Sequence, residues 1–87
     1  MKFTEIVVNF ENRFSLGIDA QSGDYFLSIP VSNQMVDYEE YYRIDEDQFT
    51  AMQHNTNLAI NFAVACRQRK HDARLFLKPG TDRGVPV

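Results

Sequence analysis

Tryptophan is absent from this 87-residue chain, and cysteine occurs once, at Cys66. A lone thiol excludes an intrachain disulfide, and its place in an apolar run points to a reducing cytosol. Long hydrophobic runs are also missing. The longest mostly apolar stretch, Leu58 to Cys66, is nine residues and contains Asn61. That is too short to span a bilayer. Met1-Lys-Phe-Thr-Glu5 lacks an apolar core, so no signal peptide is expected and the chain reads as cytoplasmic. There is no internal repeat, low-complexity tract or linker. Residues 1–87 read as one small domain, with 79–87 as a flexible C-terminal tail.

Chemistry-bearing motifs are equally scarce. The carboxylates follow no Ca²⁺-loop spacing, and His54, His71 and Cys66 follow no metal-ligand spacing. Neither histidine lies on a nucleophile–base motif. Pro79-Gly-Thr-Asp-Arg-Gly84 lacks the Gly-Lys-Ser/Thr ending of a phosphate-binding loop. No cofactor, no metal and no enzymatic activity are expected.

What the chain does have is uneven charge. Residues 1–36 carry a net −2, from Lys2 and Arg13 against Glu5, Glu11, Asp19 and Asp24. Residues 37–47 carry −5, residues 48–66 nothing, and residues 67–87 carry +4. The acidic centre is Asp37-Tyr-Glu-Glu-Tyr-Tyr-Arg-Ile-Asp-Glu-Asp47, with six carboxylates and three tyrosines. It disfavours nucleic acid as a partner and favours a cationic protein surface. The basic Arg67-Gln-Arg-Lys-His71 fits a helix C-terminal turn matched to the macrodipole.

Hydrophobic period gives the order of elements. Thr4, Ile6, Val8 and Phe10 alternate with Glu5, Val7 and Asn9 as a first strand, and Phe14, Leu16 and Ile18 with Arg13, Ser15, Gly17 and Asp19 as a second. Tyr25, Leu27, Ile29 and Val31 make a third. Pro30 lacks an N–H, so an edge or a bulge is expected there. In the fourth strand Val36, Tyr38, Glu40, Tyr42 and Ile44 share one face, and Asp37, Glu39, Tyr41 and Arg43 the other. The period then becomes helical. Asp45 and Gln48 form a capping box, and Ile44 and Phe49 a hydrophobic staple. Asn55 caps a second helix from about Thr56 to Lys70. Its stripe is Leu58, Ala59, Phe62, Ala63 and Cys66. Arg74-Leu-Phe-Leu-Lys78 reads as a last short strand. The order ββββααβ predicts an α+β fold: an antiparallel meander of four or five strands with two helices on one face.

Folding alone explains part of the acidic centre. Asp45, Glu46 and Asp47 cap and charge a helix start, and Glu40 shares an apolar strand face and needs a partner. Asp37, Glu39 and Tyr41 on the outer face are the best candidates for partner binding, with Glu40, Glu46 and Asp47 completing the patch. Tyr25-Phe-Leu-Ser-Ile-Pro-Val-Ser-Asn33, Asp37-Tyr-Glu-Glu-Tyr-Tyr42 and Pro79-Gly-Thr-Asp-Arg-Gly84 together resemble the small acidic immunity proteins of bacterial polymorphic toxin and contact-dependent growth inhibition systems. The resemblance implies a cytosolic domain that binds a cognate toxin's C-terminal domain and blocks its active site. It transfers no catalytic residue. Two rivals stand beside it: a homodimer built through an edge near Pro30 or through the last strand, and a small ligand-binding domain or enzyme.

Overall fold

A computed structural model describes all residues, 1–87. Four antiparallel strands lie in sequence order: β1 (Phe3–Asn9), β2 (Phe14–Asp19), β3 (Tyr25–Ser32) and β4 (Asp37–Ile44). Two helices follow, α1 (Glu46–His54) and α2 (Thr56–Arg67), then a 3-10 turn at Asp72–Arg74 and a two-residue strand β5 (Val85–Pro86) paired with β3. The fold is α+β in the order ββββααβ.

Register explains the core. Leu16 lies opposite Leu27 and Leu27 opposite Tyr42, so one row of large side chains crosses the sheet. Phe14, Ile29, Val31 and Ile44 extend that face, and Phe49, Met52, Ala59, Ala63 and Cys66 cover it from the helices. The fully buried residues of α2 are all small, which suits a helix lying flat on the sheet, and Ile60 and Phe62 pack against the core partly buried. Leu58 and Val64 point outward instead.

Local capping is as the sequence predicts. Asp45 Oδ1 accepts the Gln48 N–H at 2.7 Å, and Gln48 Oε1 accepts the Asp45 N–H at 2.9 Å. Asn55 Oδ1 accepts the Asn57 N–H at 3.1 Å and opens α2. That helix stops at Arg67 rather than Lys70, because Arg69 turns to φ +61°. The Lys70 N–H then reaches the Ala65 carbonyl at 3.0 Å, and the Arg69 N–H the Cys66 carbonyl at 2.9 Å. This is a Schellman ending with arginine in the usual glycine position.

Three expectations are corrected. In β1 the register slips between Glu5 and Val7. An extra residue reverses the inward–outward parity of a strand. Val7 therefore lies opposite Leu16 and packs on the core, while Ile6, Val8 and Phe10 are exposed. The last strand is not Arg74–Lys78. Arg74 belongs to the 3-10 turn, Leu75 makes a single bridge to Tyr42, and the Phe76 N–H donates to the Tyr41 carbonyl at 3.0 Å.

The third correction concerns the C-terminal residues. Their last part is docked rather than free: Val85 lies opposite Ser32, and the Val87 N–H donates to the Pro30 carbonyl at 3.2 Å. The Gly84 N–H donates to the Tyr38 hydroxyl at 2.7 Å, and a Cβ on Gly84 would meet the Ser32 backbone at 2.7 Å. Pro30 consequently sits in an interior strand. Its nitrogen faces the same side as its carbonyl, where β2 pairing has ended at Ser28 and β5 begins at Val31. The missing N–H falls in that gap, so the edge expected near Pro30 does not exist. The two terminal strands are β1, whose outer edge is free, and β4, whose outer edge is met only by the Leu75 bridge and the Phe76 N–H. No helix is long and apolar enough to cross a membrane.

Candidate functional site

The six acidic-centre candidates separate by strand parity and by distance. Glu40 faces the helices opposite Ile29 and is buried. Its carboxylate accepts from Arg83 at 2.8 and 3.0 Å and from the Tyr42 hydroxyl at 2.9 Å. The same guanidinium forks onto Asp72 at 2.7 and 2.9 Å. Arg83 is thus held between two carboxylates, which raises its pKa, and it holds the Asp72 carboxyl below the usual carboxylate range. Burial, and then the bond to Glu40, push the Tyr42 phenol up. Glu40 is a structural clamp, unavailable to a partner while Arg83 stays bound. The sequence signal was a carboxylate on an apolar strand face; which cation answers it was hidden in the tail.

Tyr41 faces the open side of the sheet but lies in an aromatic cluster. Its ring stacks on Phe3 with centroids 3.6 Å apart and meets Phe26 edge-on at 4.9 Å. Phe76 adds an edge contact to Phe3 at 5.2 Å and lies under the Arg43 guanidinium at 4.1 Å. Gly17 makes room for this packing: a Cβ there would meet the Thr4 carbonyl oxygen at 2.1 Å and Phe26 at 2.6 Å. Burial, then the charges of Glu39 and Glu5, raise the Tyr41 phenol. The ring is largely committed to packing, with its hydroxyl end beside two carboxylates.

Glu39 lies two residues along on the same open face. It accepts from the Ser28 hydroxyl at 3.2 Å and has no cation. Partial burial raises its carboxyl, the Ser28 bond opposes this, and the Glu5 charge adds to it. Glu39 stands where two grooves meet. One, of about 430 Å³, runs between β4 and residues 75–83, past Tyr38, Tyr41, Lys78 and Asp82. The other, of about 440 Å³, lies on the open face between Glu5, Val8, Phe10, Arg13 and Pro30. Sequence reasoning missed Glu5 as a site residue. Its side of the strand was legible, but its approach to Glu39 depends on the order and register of three other pairings.

Asp37 is exposed at the start of β4, opposite Ser32 on the same face as Glu39, with no bonded partner. Glu46 and Asp47 are exposed in the first turn of α1. β4 is 8 residues long, and a rise of about 3.3 Å per residue sets its ends roughly 23 Å apart. The α1 acids therefore belong to the far end of the sheet, and the acidic centre is not one patch. Glu5, Asp37 and Glu39 are the outward set.

Neither groove has a histidine or cysteine in its wall. The Cys66 thiol is buried and pushed up to about 12. His71 stacks on Phe62 at 4.3 Å, away from both. No group of three His, Cys, Asp or Glu side chains is placed to hold a metal ion. What the open-face groove presents is two carboxylates without an ion pair and one arginine, Arg13, beside apolar surface, a balance suited to a cationic side chain.

No protein-family model matches the chain, and neither a curated protein nor a solved structure is similar to it at a significant level.

Proposed function

We propose that this chain is a cytoplasmic binding protein of the immunity type, which neutralises a cognate toxin domain by covering a cationic active site. The observation that carries the reading is the charge of the open sheet face. The three ion pairs of the molecule use Asp24, Glu40 and Asp72. Glu5 and Glu39, which line the open-face groove, and Asp37, exposed at the start of β4 on the same face, are left without one. Unpaired carboxylates at a groove steer and orient a basic partner. A nuclease is the favoured class of toxin, because its phosphate-binding lysines and arginines supply the complementary charge. In this reading the protein performs no reaction of its own.

The test is co-expression with the candidate toxin domain, followed by co-purification and titration calorimetry. Combined Glu5→Lys, Asp37→Lys and Glu39→Lys should weaken binding at least about 100-fold and abolish protection. Undiminished affinity in that variant would remove the open face from the mechanism. Absence of both binding and protection removes the immunity reading itself. A second reading, self-association, is favoured by one observation: β1 is an open edge with exposed Ile6 and Val8, and such edges pair readily. Light scattering over a concentration series separates the two, since a monomer at all concentrations excludes the homodimer.

A further inference from the structure

The exposed hydrophobic side chains are not scattered. Eleven large ones are exposed, and Val8, Phe10, Met35, Val36, Val85 and Val87 are among them. The antiparallel order brings these six to one end of the sheet, where β1 and β3 finish and β4 begins. Val8 and Phe10 share the open-face groove with Pro30. Val87 is bonded to the Pro30 carbonyl, and Val85 lies opposite Ser32. Asn33 then joins the rim to Val36, accepting the Val36 N–H on its side chain at 3.0 Å and donating its own N–H to the Val36 carbonyl at 3.2 Å. Phe10 is 87% exposed and Met35 85%. An exposed apolar rim edged by polar groups is the usual form of a docking surface.

The charge beside the rim selects its occupant. Glu5 and Glu39 line the groove that holds Val8 and Phe10, Asp37 follows Val36 in the chain, none of the three has an ion pair, and Asp82 is exposed at the same end. Arg13 is the cation of the open-face groove. Arg83, next to Asp82 in the chain, is taken by Glu40 and Asp72, and Lys78 lines the neighbouring groove with Asp82. We infer that this end of the sheet is the docking surface for a basic protein segment in which apolar and cationic side chains alternate, the apolar ones seated on Phe10, Met35 and the valines. A second copy is a poor occupant, because a two-fold contact through this end would set Asp37 and Glu39 against their own mates. An anionic membrane surface is repelled by the same carboxylates.

The inference rests on the binding reading above and deepens it. The probe is a synthetic peptide of alternating lysine and leucine, titrated into the labelled protein while amide shifts are followed by NMR. Control peptides alternate glutamate with leucine and lysine with serine. The lysine–leucine peptide should shift amides of Val8, Phe10, Met35, Asp37, Val85 and Val87, and both controls should bind at least about tenfold more weakly. Phe10→Ser with Met35→Ser should weaken the response by a similar factor without altering the fold, since both side chains are exposed. A shift map centred on Glu46 and Asp47, equal binding of the glutamate peptide, or rim shifts on simple dilution would overturn the inference; the last would assign the rim to a second copy. A toxin domain neutralised equally by wild type and by the Phe10→Ser, Met35→Ser variant removes the rim and leaves the toxin reading intact. A peptide that maps to the rim while no toxin is neutralised does the reverse.

Discussion

Glu39 and Glu40 are adjacent in the chain and sit on opposite faces of β4. Glu40 points under the helices, where Arg83 and the Tyr42 hydroxyl occupy its oxygens. Glu39 points to the open face, with one serine hydroxyl and no cation. The same side chain therefore serves the fold in one position and is left for a partner in the next. Chemistry does not separate them; parity along the strand and the reach of one distant arginine do. The comparison extends to whole faces. The helix-covered face resolves its one buried charge inside the molecule. The open face pairs its aromatic rings internally and buries Asp19 under three donors, but leaves Glu5, Asp37 and Glu39 without a cation.

The largest expected effect breaks the buried side of this comparison. Arg83→Ala leaves Glu40 buried without a cation, a class of change that costs about 3–5 kcal/mol. It also releases the anchor of Gly84 and β5. Urea denaturation should show the loss as a lower midpoint. Replacing both partners, Glu40→Leu with Arg83→Met, should recover much of it, because the stranded charge is gone. If Arg83→Ala shifts stability by less than about 1 kcal/mol, the clamp contributes little and the contrast with Glu39 collapses.

The open face has its own structural half, and Gly17 probes it. Gly17→Ala drives a Cβ into the Thr4 backbone and the Phe26 ring. Overpacking of this kind costs about 2–3 kcal/mol. The same denaturation measurement should show it, together with altered chemical shifts for Phe3, Phe26 and Tyr41. A neutral Gly17→Ala would mean that the aromatic cluster is loose, and that Tyr41 is freer to meet a partner than its packing suggests.

How much of this was legible in the sequence depends on how local each cause is. β2, β3 and β4 follow from alternation, and the Asp45–Gln48 and Asn55 caps from residues within one turn of each other. The parity of β1 differs from the alternation because its bulge shows only in the register with β2 and leaves no mark in Phe3–Asn9. The Leu75–Leu77 alternation suggested a strand, yet only Leu75 makes a bridge, to Tyr42, and Leu77 is exposed. β5 was invisible, since Val85 and Pro86 have no strand signal of their own and are placed by Arg83 reaching Glu40 across 43 residues. The site followed the same rule. Alternation alone put Asp37, Glu39 and Tyr41 on the outer face, whereas Glu5 and the rim from Phe10 to Val87 required the assembled sheet.

Acid pH gives a smaller test, with opposite signs for the two kinds of carboxylate. Asp72 has its folded pKa lowered by Arg83. The unfolded chain then binds more protons, so this contribution is present above the ordinary aspartate value near 3.9 and is lost as pH falls through the folded value. Asp72→Asn should flatten the acid limb of a stability–pH curve. An unchanged limb would show that the fork onto Asp72 adds nothing to what Glu40 already provides.

Glu39 should show the smallest effect and the reverse sign. Partial burial raises its folded pKa, so the folded protein holds the proton more tightly. The favourable contribution is complete below the unfolded value, near 4.3 for glutamate, and disappears as pH rises through the folded one. Glu39→Gln should therefore leave stability within about 0.5 kcal/mol of wild type, with any gain at neutral pH and none in acid. Paired denaturation curves at pH 7 and below pH 4 measure this. Glu5→Gln should reproduce part of the neutral-pH gain, because the Glu5 charge adds to the strain on Glu39. A loss at neutral pH in either variant would mean that the carboxylate is stabilised within the molecule after all, and Glu39 would then join Glu40 as a residue of the fold rather than of the surface offered to a partner.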